Sequence, residues 1–279
     1  MLAAVGAFAV MDATMKELTQ SYPPLQVSCL RGLTSIPFFL VGVAAIGEWR
    51  TLIPVRWRDH LVRGVLAIAM LWTFVYAVSS LALGTAYGIF LCSPLLITAL
   101  SAFVLGDHVG KHRWVAVGCG MIGVFVILRP TGDGLVTLAG FAAFASALCY
   151  AISAVMIRRL ARTDSTLSIG MSFMVMVSVG TGIAAWPHWV PIVGDHWPLL
   201  LLMGFTGALG QYLIIHAFRC APPAVVAPFE YTALLWGIAL DWILWSTVPS
   251  TRVLTGAGVV IVSGLYVIYR EHWAVRTAA

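Results

Sequence analysis

The sequence predicts an all-α polytopic membrane protein, with ten transmembrane helices arranged as two inverted five-helix repeats around a central cavity. Composition, the spacing of apolar runs and an internal repeat support this fold class. Of the 279 residues, 61% are hydrophobic and 10% are charged, whereas soluble domains contain roughly 45–50% apolar and about 25% charged residues. A soluble fold of this length could not bury so many apolar side chains, so the composition excludes an aqueous enzyme and a disordered chain.

The apolar runs have the length that a membrane requires. A helix crosses the hydrocarbon with about 20 residues, so the chain has room for about ten spans. Turn-forming stretches such as 22–24, 130–134 and 222–223 separate the runs. Helices are expected because lipid offers no hydrogen-bond partners to an open strand. We number the predicted spans 1 to 10, in the order 1–19, 25–46, 63–82, 84–105, 114–129, 136–160, 168–187, 199–218, 224–246 and 253–270.

The basic residues predict the orientation of these spans. Lys16 and Arg31 lie within spans, and Arg129 and Arg252 fall on one side of the predicted topology. The other 12 of the 16 Lys and Arg residues fall on the opposite side, and these are Arg50, Arg56, Arg58, Arg63, Lys111, Arg113, Arg158, Arg159, Arg162, Arg219, Arg270 and Arg276. Because cytoplasmic loops carry the excess of Lys and Arg, both termini are predicted to lie in the cytoplasm.

The second half of the chain repeats features of the first. Residues 2–9 and 138–145 are identical at five of eight positions. A second match links 116–127 in span 5 with 257–268 in span 10, where an alanine and a glycine-led apolar stretch have the same spacing.

The repeat divides the chain into two units, 1–135 and 136–279. Each unit has five spans, an odd number, so the two units are expected to lie in opposite orientations in the bilayer. Inverted repeats of this kind build alternating-access carriers, with the substrate site between the halves near the midplane.

Motifs at corresponding places in the two units resemble a known family. In the first unit, Pro94 is followed by Leu105-Gly106-Asp107 and a glycine-rich span. In the second unit, the pattern 224–231 contains Pro228 and Tyr231 and is followed by the turn 248–250. With these motifs the whole chain resembles the EamA-type drug/metabolite transporter superfamily and, within it, bacterial aromatic amino acid exporters. It departs from the family pattern where Asp107 replaces the commoner Glu and where the turn 245–247 lacks an acidic residue.

This resemblance implies a secondary transporter of the bacterial inner membrane that exports small metabolites, with amino acids, including aromatic ones, as the expected cargo. It places helices 1, 3, 4, 6, 8 and 9 around the central cavity and helices 5 and 10 outside it. The implied partners are a small-molecule substrate and the lipid bilayer, with the protein acting as a monomer or a homodimer. A broad drug carrier or a nucleoside or sugar-metabolite carrier of the same fold remains an alternative, as does a membrane enzyme or receptor without transport.

Ionisable residues inside the spans are candidates for substrate contact, because each costs about 2.5–3.5 kcal/mol to insert. Asp12 and Lys16 are four residues apart on span 1 and share a helix face, so they form either a structural ion pair or a site for a charged substrate. Arg31, near the start of span 2, can extend toward the headgroups. Gln211 on span 8 and Glu230 on span 9 are further candidates, Glu230 for gating as well as for substrate contact.

Aromatic and small polar side chains recur at helical spacing on spans 3, 4, 6 and 9. Such stripes usually reflect helix packing, but together they can also line a cavity for flat or apolar groups. Pro94 and Pro228 are expected to act as bend points, because a proline inside a helix removes a backbone hydrogen bond. The candidate substrate-binding residues of this set are Trp72, Tyr76, Tyr87, Phe90, Ser93, Tyr150, Ser153 and Tyr231.

The motifs that enzymes of other classes require are missing from the sequence. There is no HExxH, GxSxG or P-loop pattern, so the sequence does not predict an enzyme. The stretch 118–123 matches GxGxxG but lies inside an apolar span, where small residues favour helix packing over nucleotide binding. The five cysteines are scattered singly, which predicts no metal site and no cofactor. The net charge of +5 belongs to the cytoplasmic loops, so no nucleic-acid partner is expected.

Overall fold

The computed structural model describes residues 1–46, 49–52, 54–105, 114–115, 118–119, 122–123, 126, 137–220 and 227–277. Within these ranges the chain forms helices and no β-strand. Predicted span 5, at 114–129, lies outside the described residues except for a few isolated positions. Each of the other predicted spans coincides with a described helix or with two consecutive helices.

The α-helices are numbered here in chain order. They are α1 (Leu2–Leu18), α2 (Pro24–Ile46), α3 (Trp57–Ser80), α4 (Leu83–Phe90), α5 (Ser93–Leu105), α6 (Leu138–Leu160), α7 (Thr166–Ala185), α8 (Trp197–Cys220), α9 (Thr232–Trp245) and α10 (Thr251–Thr277). Short 3-10 helices lie at Trp49–Leu52, Trp186–His188, Gly194–His196 and Ala227–Tyr231. Within the described part of the chain, five helical segments are long and apolar enough to cross a membrane, and these are 24–44, 57–80, 138–157, 166–188 and 194–220.

Predicted span 4 is interrupted rather than continuous. The helix α4 ends at Phe90, residues 91–92 form a turn, and α5 begins at Ser93 with Pro94 as its second residue. A proline is tolerated in the first turn of a helix, where its missing N–H has no intrahelical partner to lose. Span 9 has a related interruption, since Pro228 lies in the 3-10 helix Ala227–Tyr231 that precedes α9.

Helices from the first half of the chain pack against helices from the second half. Helix α1 packs against α8 and α9, α3 packs against α6 and α7, and α4 packs against α6 and α9. At one end of the bundle, Met1 and Ala4 of α1 share an apolar cluster with Leu160 of α6 and Phe218 of α8. Helix α1 therefore begins where α6 and α8 end. Its other end, with Met15 and Leu18, clusters with Leu200 and Met203 at the start of α8, so α1 runs in the opposite direction to α8.

Gly204, Gly207 and Gly210 on α8 permit a close helix contact. A Cβ atom at Gly204 would lie 2.4 Å from the backbone oxygen of Thr34 on α2. At Gly42, also on α2, nothing lies within 4 Å of the corresponding position. A side chain at Gly204 would therefore force α8 away from α2, whereas one at Gly42 would meet no neighbour.

The loop after α6 is held to the start of α3 through Asp164. The Val55 N–H donates to Asp164 Oδ1 over 2.7 Å, His60 Nε2 lies 3.1 Å from the same oxygen, and the Thr163 hydroxyl donates to Oδ2 over 2.7 Å. Burial alone would raise the pKa of Asp164, but the hydrogen bonds from Thr163, Val55 and His60 outweigh burial and lower that pKa below its ordinary value.

Candidate functional site

A cavity of about 140 Å³ lies between the helices of the two halves. Apolar cavities of about 150 Å³ hold a benzene molecule, so this one has room for a group of one ring. The cavity reaches the end of the bundle where α1 begins, since Met1 and Ile157 line it there. Eight of the predicted substrate-binding residues line it, and these are Asp12, Tyr87, Phe90, Ser93, Tyr150, Ser153, Gln211 and Glu230.

A row of four aromatic rings crosses the cavity wall. Phe74 of α3 stacks on Tyr87 of α4 at a centroid distance of 6.1 Å, and it meets Phe90 edge to face at 5.5 Å. Phe90 in turn contacts Tyr150 of α6 at 5.2 Å. Ring pairs at these separations add to the stability of the contact beyond their buried area. We call Tyr87, Phe74, Phe90 and Tyr150 the aromatic row; it presents ring surface to the cavity.

The tyrosine at each end of the aromatic row donates a hydrogen bond to a carboxyl group. The Tyr87 hydroxyl donates to Asp12 Oδ2 over 2.7 Å, and the Tyr150 hydroxyl donates to Glu230 Oε1 over 2.9 Å. Asp12 and Glu230 are 7% and 8% exposed, and a buried carboxyl group requires such partners. The first pair joins α1 to α4. The second joins α6 to the segment before α9. In the first pair the tyrosine lies on the later of the two segments, and in the second pair it lies on the earlier one.

Two arginine side chains also line the cavity. Arg31 of α2 and Arg63 of α3 both lie over the ring of Phe173, at 5.5 and 4.9 Å from its centroid. Arg31 Nε donates to the sulfur of Met11, and Arg63 Nη1 donates to the Ile169 carbonyl over 2.9 Å. The sequence places Arg63 in a cytoplasmic connection. Predicted span 3 begins at Arg63, but helix α3 begins earlier, at Trp57, so Arg63 lies inside the helix rather than at its end and lines the cavity.

Lys16 lies apart from Asp12 and from the cavity lining. Its Nζ is 3.0 Å from Asp241 Oδ1 on α9 and 4.3 Å from the centroid of the Trp245 ring. Asp241 Oδ1 also accepts the N–H of Leu83 over 3.1 Å, at the first residue of α4. Asp12 and Lys16 are therefore paired with other residues rather than with each other, since Asp12 accepts from Tyr87 and Lys16 pairs with Asp241.

The other predicted site residues also lie away from the cavity lining. Trp72 is 51% exposed on the outer surface of α3, and Tyr76 is half-buried on the same helix. Tyr231 is buried in an apolar cluster with Leu95 and Ala257. The predicted bend points Pro94 and Pro228 lie at the two interruptions described above. Among the described residues, no group of three or more His, Cys, Asp or Glu side chains is placed to hold a metal ion.

Comparison with protein families finds two matches to one family model. The model of the EamA-like transporter family matches residues 1–129 and again residues 137–270. The match covers nearly all of the chain and divides it close to the boundary predicted from the internal repeat.

Curated bacterial proteins resemble the chain along most of its length. A riboflavin transporter of Vibrio cholerae is 27% identical over 97% of this chain and 92% of that protein. The pseudopaline exporter CntI of Pseudomonas aeruginosa is 25% identical, covering 92% of this chain and 90% of that protein. An S-adenosylmethionine uptake transporter of Rickettsia bellii is 24% identical, covering 93% and 89%. A solved crystal structure superposes with a TM-score of 0.69 at 15% identity, covering 95% of this chain and 96% of that one, which shows a shared fold.

Proposed function

Because the chain belongs to the EamA-like transporter family, we propose that it is a secondary transporter of the bacterial inner membrane that exports amino acids, including aromatic ones, by alternating access. Family membership and the names of the relatives indicate a transporter rather than an enzyme. The substrate, the direction of transport and the mechanism are proposed from the cavity and the residues that line it.

The observation that carries the substrate proposal is the aromatic row with a carboxyl group at each end. A small-molecule site typically combines apolar walls with a few placed polar groups that orient the ligand. Here the rings of Phe74 and Phe90 provide the apolar wall, and Asp12 and Glu230 provide negative charge for an ammonium group. An aromatic amino acid has a ring and an ammonium group, and it matches both.

Three observations support an inverted-repeat mechanism with units 1–135 and 136–279. The family model matches each half separately. Helix α1, the first helix of one half, begins where α6, the first helix of the other, ends. The tyrosine–carboxyl pairs join α1 to α4 and α6 to the segment before α9, which are corresponding elements of the two halves. In this mechanism the halves rock about the cavity and expose it to one side at a time.

The contacts around Lys16 support a conformation that is closed at that end of the cavity. Lys16, Asp241 and Trp245 join α1 to α9 there, while the cavity extends toward the end formed by Met1 and Ile157. The positive-inside rule assigns the Met1 end to the cytoplasm, because the connections rich in Arg lie there. The described conformation then corresponds to a cavity facing the cytoplasm, ready to load a substrate for export.

A carrier for larger heterocyclic cargo is the second candidate function. The relatives named above are a riboflavin transporter, a pseudopaline exporter and an S-adenosylmethionine uptake transporter, so neither the cargo nor the direction is uniform among them. A carrier without its own energy source equilibrates its substrate, and the direction of flux follows the gradients.

Counterflow in proteoliposomes tests the proposed function without assuming a direction. Vesicles containing the purified protein are loaded with unlabelled phenylalanine, tryptophan or riboflavin, and entry of the same labelled compound is followed. We expect transient accumulation of the labelled amino acids above the level in protein-free vesicles. Accumulation of riboflavin alone would support the second candidate, and no accumulation of any amino acid would refute the proposal.

A matched pair of variants tests whether the cavity is the transport site. Tyr150→Phe removes the hydroxyl that donates to Glu230 inside the cavity, whereas Tyr76→Phe removes a hydroxyl outside its lining. We expect only the first substitution to reduce counterflow. Equal effects of the two substitutions would remove the cavity from the proposal.

A further inference from the structure

The two arginines of the cavity are deeply buried and close to one aromatic ring. Arg31 is 6% exposed and Arg63 is 2% exposed, and both guanidinium groups lie over the ring of Phe173. An arginine side chain stays charged in proteins and carries five N–H donors in a planar fork. Within the described part of the chain, neither guanidinium has a carboxylate within ion-pair distance.

Two polar groups of cavity-lining residues have no hydrogen-bond partner among the described residues. Among the described residues, Arg63 Nε and Ser93 Oγ are buried without a hydrogen-bond partner. The bond from Arg31 Nε goes to a methionine sulfur, which is a weak acceptor. Buried polar groups in native proteins are nearly always paired, and an unpaired one carries its full desolvation penalty. This pattern is typical of a site that receives an anionic ligand.

We propose that Arg31 and Arg63 bind the carboxylate of the substrate, and that this subsite restricts the carrier to zwitterionic amino acids. The proposal rests on the proposed function and names the substrate class of the same cavity. Both guanidinium forks line the same cavity beside one ring, and such a fork can offer parallel N–H donors to both oxygens of a planar carboxylate. The ammonium group of the substrate is then left to Asp12 and Glu230, and its ring to the aromatic row.

The charges of the cavity favour a zwitterion over other cargo. Arg31 and Arg63 contribute two formal positive charges, and Asp12 and Glu230 contribute two negative charges. A zwitterion leaves this balance unchanged and supplies a counter-charge to both sets. A phosphate monoester brings close to two negative charges beside two carboxyl groups, and a simple amine supplies no counter-charge to either arginine. Each of these alternatives keeps a buried charge uncompensated, which is costly.

A competition series with the wild-type protein tests the subsite directly. Counterflow of labelled phenylalanine is measured against unlabelled phenylalanine, phenylalaninamide, phenethylamine and phenyl phosphate. Phenylalaninamide keeps the ring and the amine but lacks the carboxylate. We expect it to compete about 30-fold more weakly than phenylalanine or worse, the lower limit for removing one partner of a buried charge pair. Equal competition by the amide, or stronger competition by phenyl phosphate, would overturn the proposal.

Substitutions then assign the discrimination to the arginines. In Arg63→Gln, the advantage of phenylalanine over its amide should disappear, and Arg63→Lys should restore part of it by retaining the charge. Arg159→Gln is the matched control, because Arg159 is a 59% exposed arginine side chain paired with Asp59 and outside the cavity lining. A variant Arg63→Gln that still prefers the acid as strongly as wild type would refute the assignment. If no amino acid exchanges at all, the proposed function fails instead.

Discussion

Replacing Asp241 with asparagine removes the charge that holds Lys16 at one end of the cavity. The side chain of Asp241 is 0% exposed and that of Lys16 is 16% exposed, with 3.0 Å between Nζ and Oδ1. Asparagine has nearly the same shape and keeps an oxygen for the N–H of Leu83. The freed Lys16 can extend to water, so the substitution removes the ion pair between α1 and α9 with little other change.

The size of the effect follows from the burial of the two partners. Hydrogen bonds to charged groups contribute about 1.5–3 kcal/mol, whereas exposed ion pairs contribute about 0.2–1 kcal/mol. With Asp241 fully buried and Lys16 partly exposed, we expect a contribution of about 1.5 kcal/mol, between the two cases. If alternating access separates α1 from α9 at this end, the loss shifts the closed-to-open ratio by about tenfold.

A cysteine probe near the ion pair reports on this ratio. Ala86 of α4 is 0% exposed in an apolar cluster with Ala13 of α1, so Ala86→Cys is protected while this end is closed. In a chain whose native cysteines are replaced by serine, alkylation by a membrane-impermeant maleimide is measured from the side of Lys16. When reclosing is faster than alkylation, the labelling rate follows the open population. We expect Asp241→Asn to raise that rate about tenfold.

The control is a substitution of Glu17, a neighbouring carboxylate whose hydrogen bonds are exposed. Glu17 accepts exposed hydrogen bonds from Trp245 and Gln20, so Glu17→Gln should change the labelling rate by about fivefold or less. A double replacement, Lys16→Met with Asp241→Leu, removes the pair without leaving a buried charge and should label as fast as Asp241→Asn. An unchanged labelling rate in both Asp241 variants would refute a gating role for the ion pair.

Three further predictions concern the cavity, the helix packing and the loop after α6. Tyr150→Phe should weaken phenylalanine competition in counterflow by about tenfold, since hydrogen bonds to charged groups contribute about 1.5–3 kcal/mol, while Tyr76→Phe leaves it within error. Gly204→Ala should lower stability in detergent by about 1–3 kcal/mol through overpacking, measured as thermal unfolding, and Gly42→Ala should be neutral. The lowered pKa of Asp164 stabilises the fold above the ordinary carboxyl pKa, and that contribution is lost as pH falls through the lower native value. The stability difference between wild type and Asp164→Asn should therefore shrink below about pH 4, and a constant difference would contradict the prediction.

The membrane class and most span positions could be predicted from the sequence because they depend on composition and local apolar length. The helices α2, α6 and α8 lie within a few residues of the predicted spans. The interruption before Pro94 could be predicted only as a bend, because the sequence does not determine whether a proline kinks one helix or begins a new one. The early start of α3 was missed because residues 57–62 carry charges that resemble a loop.

Within the candidate site, the residues that belong to it were easier to predict than the residues they contact. Spacing brings Asp12 and Lys16 to one helix face, but Lys16 pairs with Asp241, 225 residues away in the chain. No pattern of neighbouring residues predicts a contact between two residues so far apart in the chain. Arg63 was assigned to a basic loop by its neighbours, and its burial depends on the packing of α3 against α7. Trp72 has the same helical spacing as a cavity residue yet lies on the outer surface, because an apolar helix in a membrane has two faces that suit an aromatic ring.

Labelling of a cavity residue from each side of the membrane tests alternating access most directly. Ser153 lines the cavity on α6 and is 4% exposed, so Ser153→Cys, in a chain without other cysteines, is a single probe at the shared site. In proteoliposomes of known orientation, an impermeant maleimide should reach this cysteine from either face, and saturating substrate should protect it from both. Labelling from one face only, under every substrate and gradient condition, would contradict alternating access between two halves.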